Sequence, residues 1–173
     1  MHHWLSLQDS TLVITHLRQI DMFEQSRLEV DPGVASEVVR LRRDPSNARG
    51  HRYSVWHSSR IRTNPYPWFA STYNRVVESI GELTIDEWWF NCGAPGDEYR
   101  WHGHNPYKWA GVLYIQTPEN SGGIEFKRHG EFQVFQPSMG DFLVFPGNLA
   151  HRVLKNMSED FRISVAFNFK VST

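Results

Sequence analysis

Phe161-Arg162-Ile163-Ser164-Val165-Ala166-Phe167-Asn168-Phe169 alternates residue by residue. Side chains along a strand point to opposite faces in turn, so Arg162, Ser164, Ala166 and Asn168 share one face. Ile163, Val165, Phe167 and Phe169 occupy the other. A face of bulky apolar groups needs a covering layer. An arginine among small polar groups suits the inner wall of a barrel instead. The expectation is a strand whose apolar side lies under helices and whose polar side lines a ligand cavity.

Upstream of it, short runs rich in β-branched and aromatic residues recur at regular spacing. They predict strands at Asp86–Asn91, Ala110–Gln116, Gly123–Phe126, Glu131–Phe135, Asp141–Phe145 and His151–Leu154, with Phe161–Phe169 last. Between them stand turn-forming clusters: Pro118 to Gly123, Pro137 to Gly140, and Asn156 to Asp160. Many short strands with few helices between them read as a mainly β protein, an antiparallel sandwich or jelly roll.

The first half reads differently. Residues 1–84 are expected to be helical or loop-like support, and residues 85–173 the β core, within one domain spanning 1–173. Gly33 to Leu41 has apolar residues at helical spacing after the turn signal Asp31-Pro32-Gly33. Pro67 to Ile80 is the stronger helix, with Trp68, Phe69, Tyr73, Val76, Val77 and Ile80 in one stripe and Gly81 at its end. Arg42 to Asn64 reads as loops with one short strand at most.

Bulk composition narrows the function classes. A chain of 173 residues, 40% hydrophobic and 21% charged, can bury a core, and none of its apolar runs is long enough to span a bilayer. A formal net charge of -1 argues against general polyanion binding, so nucleic acid is not the expected partner. The one cysteine, Cys92, excludes an internal disulfide. The opening MHHWLSLQDS lacks the basic and apolar regions of a secretory signal, so a cytoplasmic protein, monomer or homodimer, is expected.

Three positions carry metal-capable side chains in a suggestive arrangement. His102 and His104 flank Gly103, and residues two apart on an extended segment face the same way, so both imidazoles can reach one ion. His151 opens a strand just after the turn Pro146-Gly147-Asn148. Arg162 and Ser164 follow eleven residues later, a separation that suits an antiparallel hairpin with Arg162 beneath His151. Taken singly, each has a plainer reading: loop histidines, a satisfied core histidine, an arginine paired to Asp160. Together they describe an ion with open positions beside a carboxylate-binding fork.

From His102 to Lys170 the sequence resembles the 2-oxoglutarate/Fe(II) dioxygenase superfamily, in particular small oxygenases with an H-x-H-P-like first motif. The resemblance is carried by His102-Gly-His104-Asn-Pro, Gly111-Val-Leu-Tyr114-Ile-Gln and Asn120-Ser-Gly-Gly123-Ile-Glu-Phe. It continues through Pro137-Ser-Met-Gly140-Asp-Phe-Leu-Val-Phe-Pro146, His151-Arg-Val and Arg162-Ile-Ser164-Val-Ala-Phe-Asn-Phe. It implies a double-stranded β-helix, cupin-like, with amino-terminal helices packed on the larger sheet. It also implies Fe(II), 2-oxoglutarate as co-substrate, dioxygen, and hydroxylation of a small molecule or peptide. His102 then matches the first iron ligand and His151 the distal one, while Arg162 and Ser164 match the pair that binds the distal carboxylate of 2-oxoglutarate. Tyr114 matches a tyrosine that hydrogen-bonds this co-substrate in several prolyl hydroxylases, or else is a buried strand aromatic.

One departure matters. The superfamily carries Asp or Glu where this chain has His104, so the third ligand is either His104 or a loop carboxylate, Asp97 or Glu98. Three histidines resemble the sites of cupin-type dioxygenases that work without 2-oxoglutarate, which is the rival enzymatic reading. A non-catalytic jelly-roll binding module is the other. Asn91, on a strand entering this region, is a candidate contact for co-substrate or substrate, and Trp101, Tyr107 and Trp109 are candidates to wall a substrate groove. The arginines Arg40, Arg42, Arg43, Arg49, Arg52, Arg60 and Arg62 form either a solvated face or a grip for an anionic substrate.

Overall fold

The computed structural model describes residues 24–52 and 55–171. Its core strands alternate between two antiparallel sheets. β4 (Leu83–Gly93), β6 (Trp109–Gln116), β9 (Asp141–Pro146) and β11 (Arg162–Val171) belong to one; β5 (Tyr99–His102), β7 (Ile124–Arg128), β8 (Glu131–Phe135) and β10 (Ala150–Val153) form the other. The larger sheet is extended by β1 (Glu24–Arg27), β2 (Ala48–Arg52) and β3 (Val55–Ser58) into the order β1-β9-β6-β11-β4-β3-β2. The smaller runs β5-β10-β7-β8. This is the jelly roll, wound as a double-stranded β-helix.

β11 lies in the middle of the larger sheet, between β4 and β6, and its alternation sets the layers. Ile163, Val165, Phe167 and Phe169 are at most 1% exposed and join one core with Val34, Val38, Phe69, Val76 and Ile80 from the helical layer. Each such side chain contributes about 1.5–3 kcal/mol by leaving water. The opposite faces of β6 and β9 (Ala110, Val112, Tyr114, Leu143 and Phe145) pack toward Ile124 and Phe126 of the smaller sheet.

Two helices cover the larger sheet. Helix α1 (Val34–Arg43) follows Gly33, whose φ of 88° lies in the left-handed region that favours glycine. Glu37 in its first turn, and Arg40, Arg42 and Arg43 in its last, complement the helix dipole. Helix α2 (Ala70–Ser79) is preceded by a 3-10 turn at Pro67–Phe69 and followed, past Ile80, by Gly81 at φ 54°. Asp31 caps α2 from the loop before α1: its carboxylate accepts from Thr72 N at 3.0 Å and Thr72 Oγ1 at 2.9 Å. Arg75 donates to the same carboxylate and, with Thr72, holds it below the usual aspartate range. Among the described residues no helix is long and apolar enough to cross a membrane.

Three sequence expectations need correction. The first half contributes strands β1, β2 and β3 to the larger sheet, where mostly helix and loop were expected. β5 was not anticipated, because Tyr99-Arg100-Trp101-His102 is only four residues long and its burial does not follow its aromatic–polar alternation: Tyr99 is buried, while both Arg100 and Trp101 are exposed. Finally, β10 and β11 are not a hairpin. They lie in different sheets, so His151 and Arg162 face one another across the interior. The loop 154–161 crosses between the sheets because β11 is already paired on both sides.

Candidate metal centre

A cavity of about 510 Å³ lies between the two sheets. His102 and His151 reach it from register partners on β5 and β10, with ring centroids 4.2 Å apart. His104 comes from the following loop, its ring parallel to that of His151 at 5.2 Å. One nitrogen from each of the three lies within 4.8 Å of the other two.

The loop that carries His104 is fastened to the turn before β10. His104 N donates to Gly147 O at 2.6 Å, and Gly147 N donates to Lys108 O at 2.9 Å. A Cβ on Gly147 would lie 2.0 Å from Tyr107 O, so only glycine lets these backbones approach. Tyr107 lines the cavity, and its hydroxyl donates to Asp86 Oδ2 at 2.5 Å, which ties the loop to β4.

Each imidazole has its Nδ1 engaged by an oxygen. His102 Nδ1 lies 2.7 Å from Arg100 O, His151 Nδ1 2.8 Å from Leu149 O, and His104 Nδ1 2.7 Å from Asn168 Oδ1. A carbonyl only accepts, so each Nδ1 carries the hydrogen and each Nε2 keeps its lone pair. The Nε2 atoms of His104 and His151 stand 3.3 Å apart, too close for two protonated nitrogens and suited to sharing one ion. Burial pushes the His104 pKa down to about 4, with a smaller contribution from the charge of His102. Burial also holds His151 well below the ordinary histidine range. The site therefore presents lone pairs at neutral pH without first releasing protons.

Arg162 lies across the cavity, 5% exposed. Its Nη1 donates to the carbonyls of Ser121, Gly122 and Leu154. Gly122 makes this cradle possible: its φ is 81°, and a Cβ there would meet Leu154 O at 2.4 Å. Among the described residues no carboxylate pairs with Arg162, and burial lowers its pKa. The charges of Tyr114 and Asp97 act against that lowering, but no carboxylate of the described residues comes within ion-pair distance, and a buried guanidinium left unpaired costs several kcal/mol. Ser164 and Tyr114 line the same cavity, and Asn91 Nδ2 donates to Ser164 Oγ at 3.3 Å. Burial raises the Tyr114 pKa, which keeps the phenol protonated and able to donate.

Other expected residues lie elsewhere. Trp109 is 8% exposed and belongs to the core under the helices, because strand alternation turns it away from the cavity face of β6. Trp101 sits on the outer face of the smaller sheet, beside Phe132 at 5.7 Å and under the Arg152 guanidinium at 5.0 Å. Asp97 caps the Ala94 amide at 2.7 Å and Glu98 is exposed; neither joins the histidine cluster. Of the arginine run, Arg60 lines the cavity paired to Glu87, Arg62 pairs with Asp86, and Arg40 with Glu37. The side chains of Arg49 and Arg52 lie outside the described residues. Of the arginines offered as a grip for an anionic substrate, Arg60 does line the cavity, but sequence reading missed the cavity roles of Glu87 and Trp89. The signal was there in β4, where Glu87, Trp89 and Asn91 alternate with the core residues Trp88, Phe90 and Cys92.

Residues 125–168 match the family model described as "Putative 2OG-Fe(II) oxygenase". The matched segment takes in His151, Arg162 and Ser164, and leaves His102 and His104 outside. No curated protein matches the chain. A prolyl-4-hydroxylase from Pseudomonas putida has a similar structure, with TM-score 0.69 and 18% identity over 94% of this chain and 98% of that one. So does a prolyl hydroxylase from Trichoplax adhaerens in complex with a hypoxia inducible factor peptide fragment (TM-score 0.70, 14% identity, 92% and 88% covered). A third is the viral collagen prolyl hydroxylase of Paramecium Bursaria Chlorella virus-1 in its 2OG complex (TM-score 0.65, 10% identity, 90% and 98% covered). In the sequence of residues 125–168 and in its jelly-roll fold, the chain thus resembles the 2OG-Fe(II) oxygenases.

Proposed function

We propose that this chain is an Fe(II)- and 2-oxoglutarate-dependent dioxygenase that hydroxylates a small molecule or peptide. One observation carries the reading: three histidines, each with a ring nitrogen within 4.8 Å of the other two, share a cavity with a buried arginine that has no carboxylate in ion-pair range among the described residues. Fe(II), 2-oxoglutarate and dioxygen together would supply the oxidising power, yielding hydroxylated product, succinate and carbon dioxide. His102, His104 and His151 would hold the metal and leave its remaining positions on one side.

Arg162 would take the distal carboxylate of 2-oxoglutarate, with Ser164 and the Tyr114 hydroxyl completing its hydrogen bonds. Asn91 orients Ser164 through its amide. Val112, Ile124, Phe145, Val153 and Ala166 line the walls between these groups and limit water there. The cavity volume falls within the range of small-ligand sites. A peptide is a reasonable second substrate class, since one similar prolyl hydroxylase was solved with a peptide fragment. Trp109, buried in the core under the helices, would have no part in substrate binding, while Tyr107, which lines the cavity, would contact the substrate.

Replacing the family's carboxylate by His104 favours one rival, a three-histidine dioxygenase that needs no keto acid. Oxygen consumption and succinate formation without added substrate separate the two. The proposal expects both to require Fe(II) and 2-oxoglutarate. Oxygen uptake indifferent to 2-oxoglutarate would favour the rival. Absence of both stoichiometric metal and oxygen uptake would leave a binding module.

A further inference from the structure

His104 differs from the other two histidines in what holds its ring. His102 and His151 give their Nδ1 hydrogens to backbone carbonyls, which no substitution at those positions can remove. His104 depends on side chains. Its Nδ1 lies 2.7 Å from Asn168 Oδ1, Asn168 Nδ2 donates to Glu87 Oε1 at 2.9 Å, and the same Oε1 accepts from Arg60 Nη1 at 2.5 Å. Glu87 and Asn168 are register partners on β4 and β11, 8% and 2% exposed. The Arg60 guanidinium lies 4.8 Å over the Trp89 ring, which fixes the outer end of the chain.

Each link in this chain has only one possible polarity. A carboxylate accepts and never donates, so Asn168 must turn its NH2 group to Glu87. Its carbonyl then faces His104, and that oxygen also only accepts. The hydrogen of the neutral imidazole is thereby forced onto Nδ1, which leaves Nε2 bare on the side of His151. Without a fixed acceptor on one side, the amide of Asn168 could turn over and present its NH2 group to His104.

We propose that Glu87 and Asn168 are positioning residues that lock His104 in its Nδ1–H tautomer, a carboxylate acting through an amide on the imidazole. The consequence for metal affinity rests on the reading of His104 as a ligand. The tautomer itself does not. Arg60 neutralises Glu87 so that its charge can stay buried beside the site.

The test is 15N NMR of the imidazole nitrogens in the metal-free protein at about pH 8, above the ordinary histidine range, paired with titration by Co(II). In the unsubstituted protein His104 is expected to carry its hydrogen on Nδ1. Glu87→Gln gives the neighbour of Asn168 both a donor and an acceptor, so His104 should shift to a mixture of tautomers and Co(II) affinity should fall about tenfold or more. The double substitution Glu87→Gln with Asn168→Asp reverses the link: the new amide donates, and the new carboxylate again can only accept from Nδ1. It should restore both the tautomer and the affinity, whereas a merely structural role predicts a double variant at least as impaired as the single. The proposal is overturned by an Nε2–H tautomer in the unsubstituted protein, by no change in Glu87→Gln, or by a double variant that fails to recover. If the unsubstituted protein binds no Co(II), the metal reading falls, and the NMR spectrum still decides the tautomer.

Discussion

His151 and Arg162 illustrate how two buried polar residues can do opposite work in one cavity. His151 is kept neutral by burial, so its lone pair is available; Arg162 carries a buried charge with no carboxylate of the described residues in ion-pair range. His151→Ala should abolish stoichiometric Fe(II) binding, measured by anaerobic equilibrium dialysis. Arg162→Ala should leave Fe(II) affinity near its original value and raise the 2-oxoglutarate concentration needed for half-maximal succinate formation, by about 100-fold for a lost charge-assisted pair of some 3 kcal/mol. Equal effects of both substitutions on iron binding would contradict this division. Acid should also destabilise the metal-free protein through His104. Its folded pKa, about 4, lies below the unfolded value near 6.5, so its stability contribution is complete above pH 6.5 and is lost as pH falls toward 4. The span corresponds to a loss on the order of 3 kcal/mol. Urea midpoints between pH 7.5 and 4 should therefore fall less steeply in His104→Gln than in the unsubstituted protein; identical slopes would refute the assignment.

At the scale of elements, the metal-bearing loop and the helical layer should be separable. Gly147→Ala places a methyl group 2.0 Å from Tyr107 O, so the loop 103–108 must move away from β10 and carry His104 with it. Co(II) affinity should drop about tenfold or more, together with thermal stability. Asp31→Ala removes the cap of α2 on the far side of the sheet. It should cost about 1–2 kcal/mol in urea unfolding, with Co(II) affinity unchanged. A Gly147→Ala protein with unaltered affinity would show that the loop is not what places His104.

Across the whole molecule, legibility in the sequence followed periodicity. β11 could be read in full, because Ile163, Val165, Phe167 and Phe169 alternate with Arg162, Ser164, Ala166 and Asn168 without interruption, and the structure puts one set under the helices and the other in the cavity. β6 and β9 were placed to within a residue as short, nearly continuous apolar runs, and both helices to within a few residues. β5 was illegible because it is four residues long and its pairing with β10 is irregular, so Tyr99 and His102, three apart, are its less exposed ends and no period-2 pattern of burial results. The pairing of His151 with Arg162 was misread as a hairpin because spacing along the chain cannot distinguish a turn within a sheet from a crossing between sheets. That His102 and His104 face the same way could be anticipated from their spacing, and that His151 joins them was what the family resemblance implied. The chain from Arg60 through Glu87 and Asn168 to His104 could not be anticipated, since it depends on the register of β4 against β11.

On the proposed function, one cavity holds both a metal and a keto acid chelated to it. Anaerobic visible spectroscopy tests it most directly: the metal-free protein is titrated with Fe(II), with and without 2-oxoglutarate. A weak charge-transfer band is expected only when both are present, absent from His151→Ala and displaced to higher 2-oxoglutarate concentration in Arg162→Ala. Iron binding with no band at any concentration of the keto acid would contradict the claim.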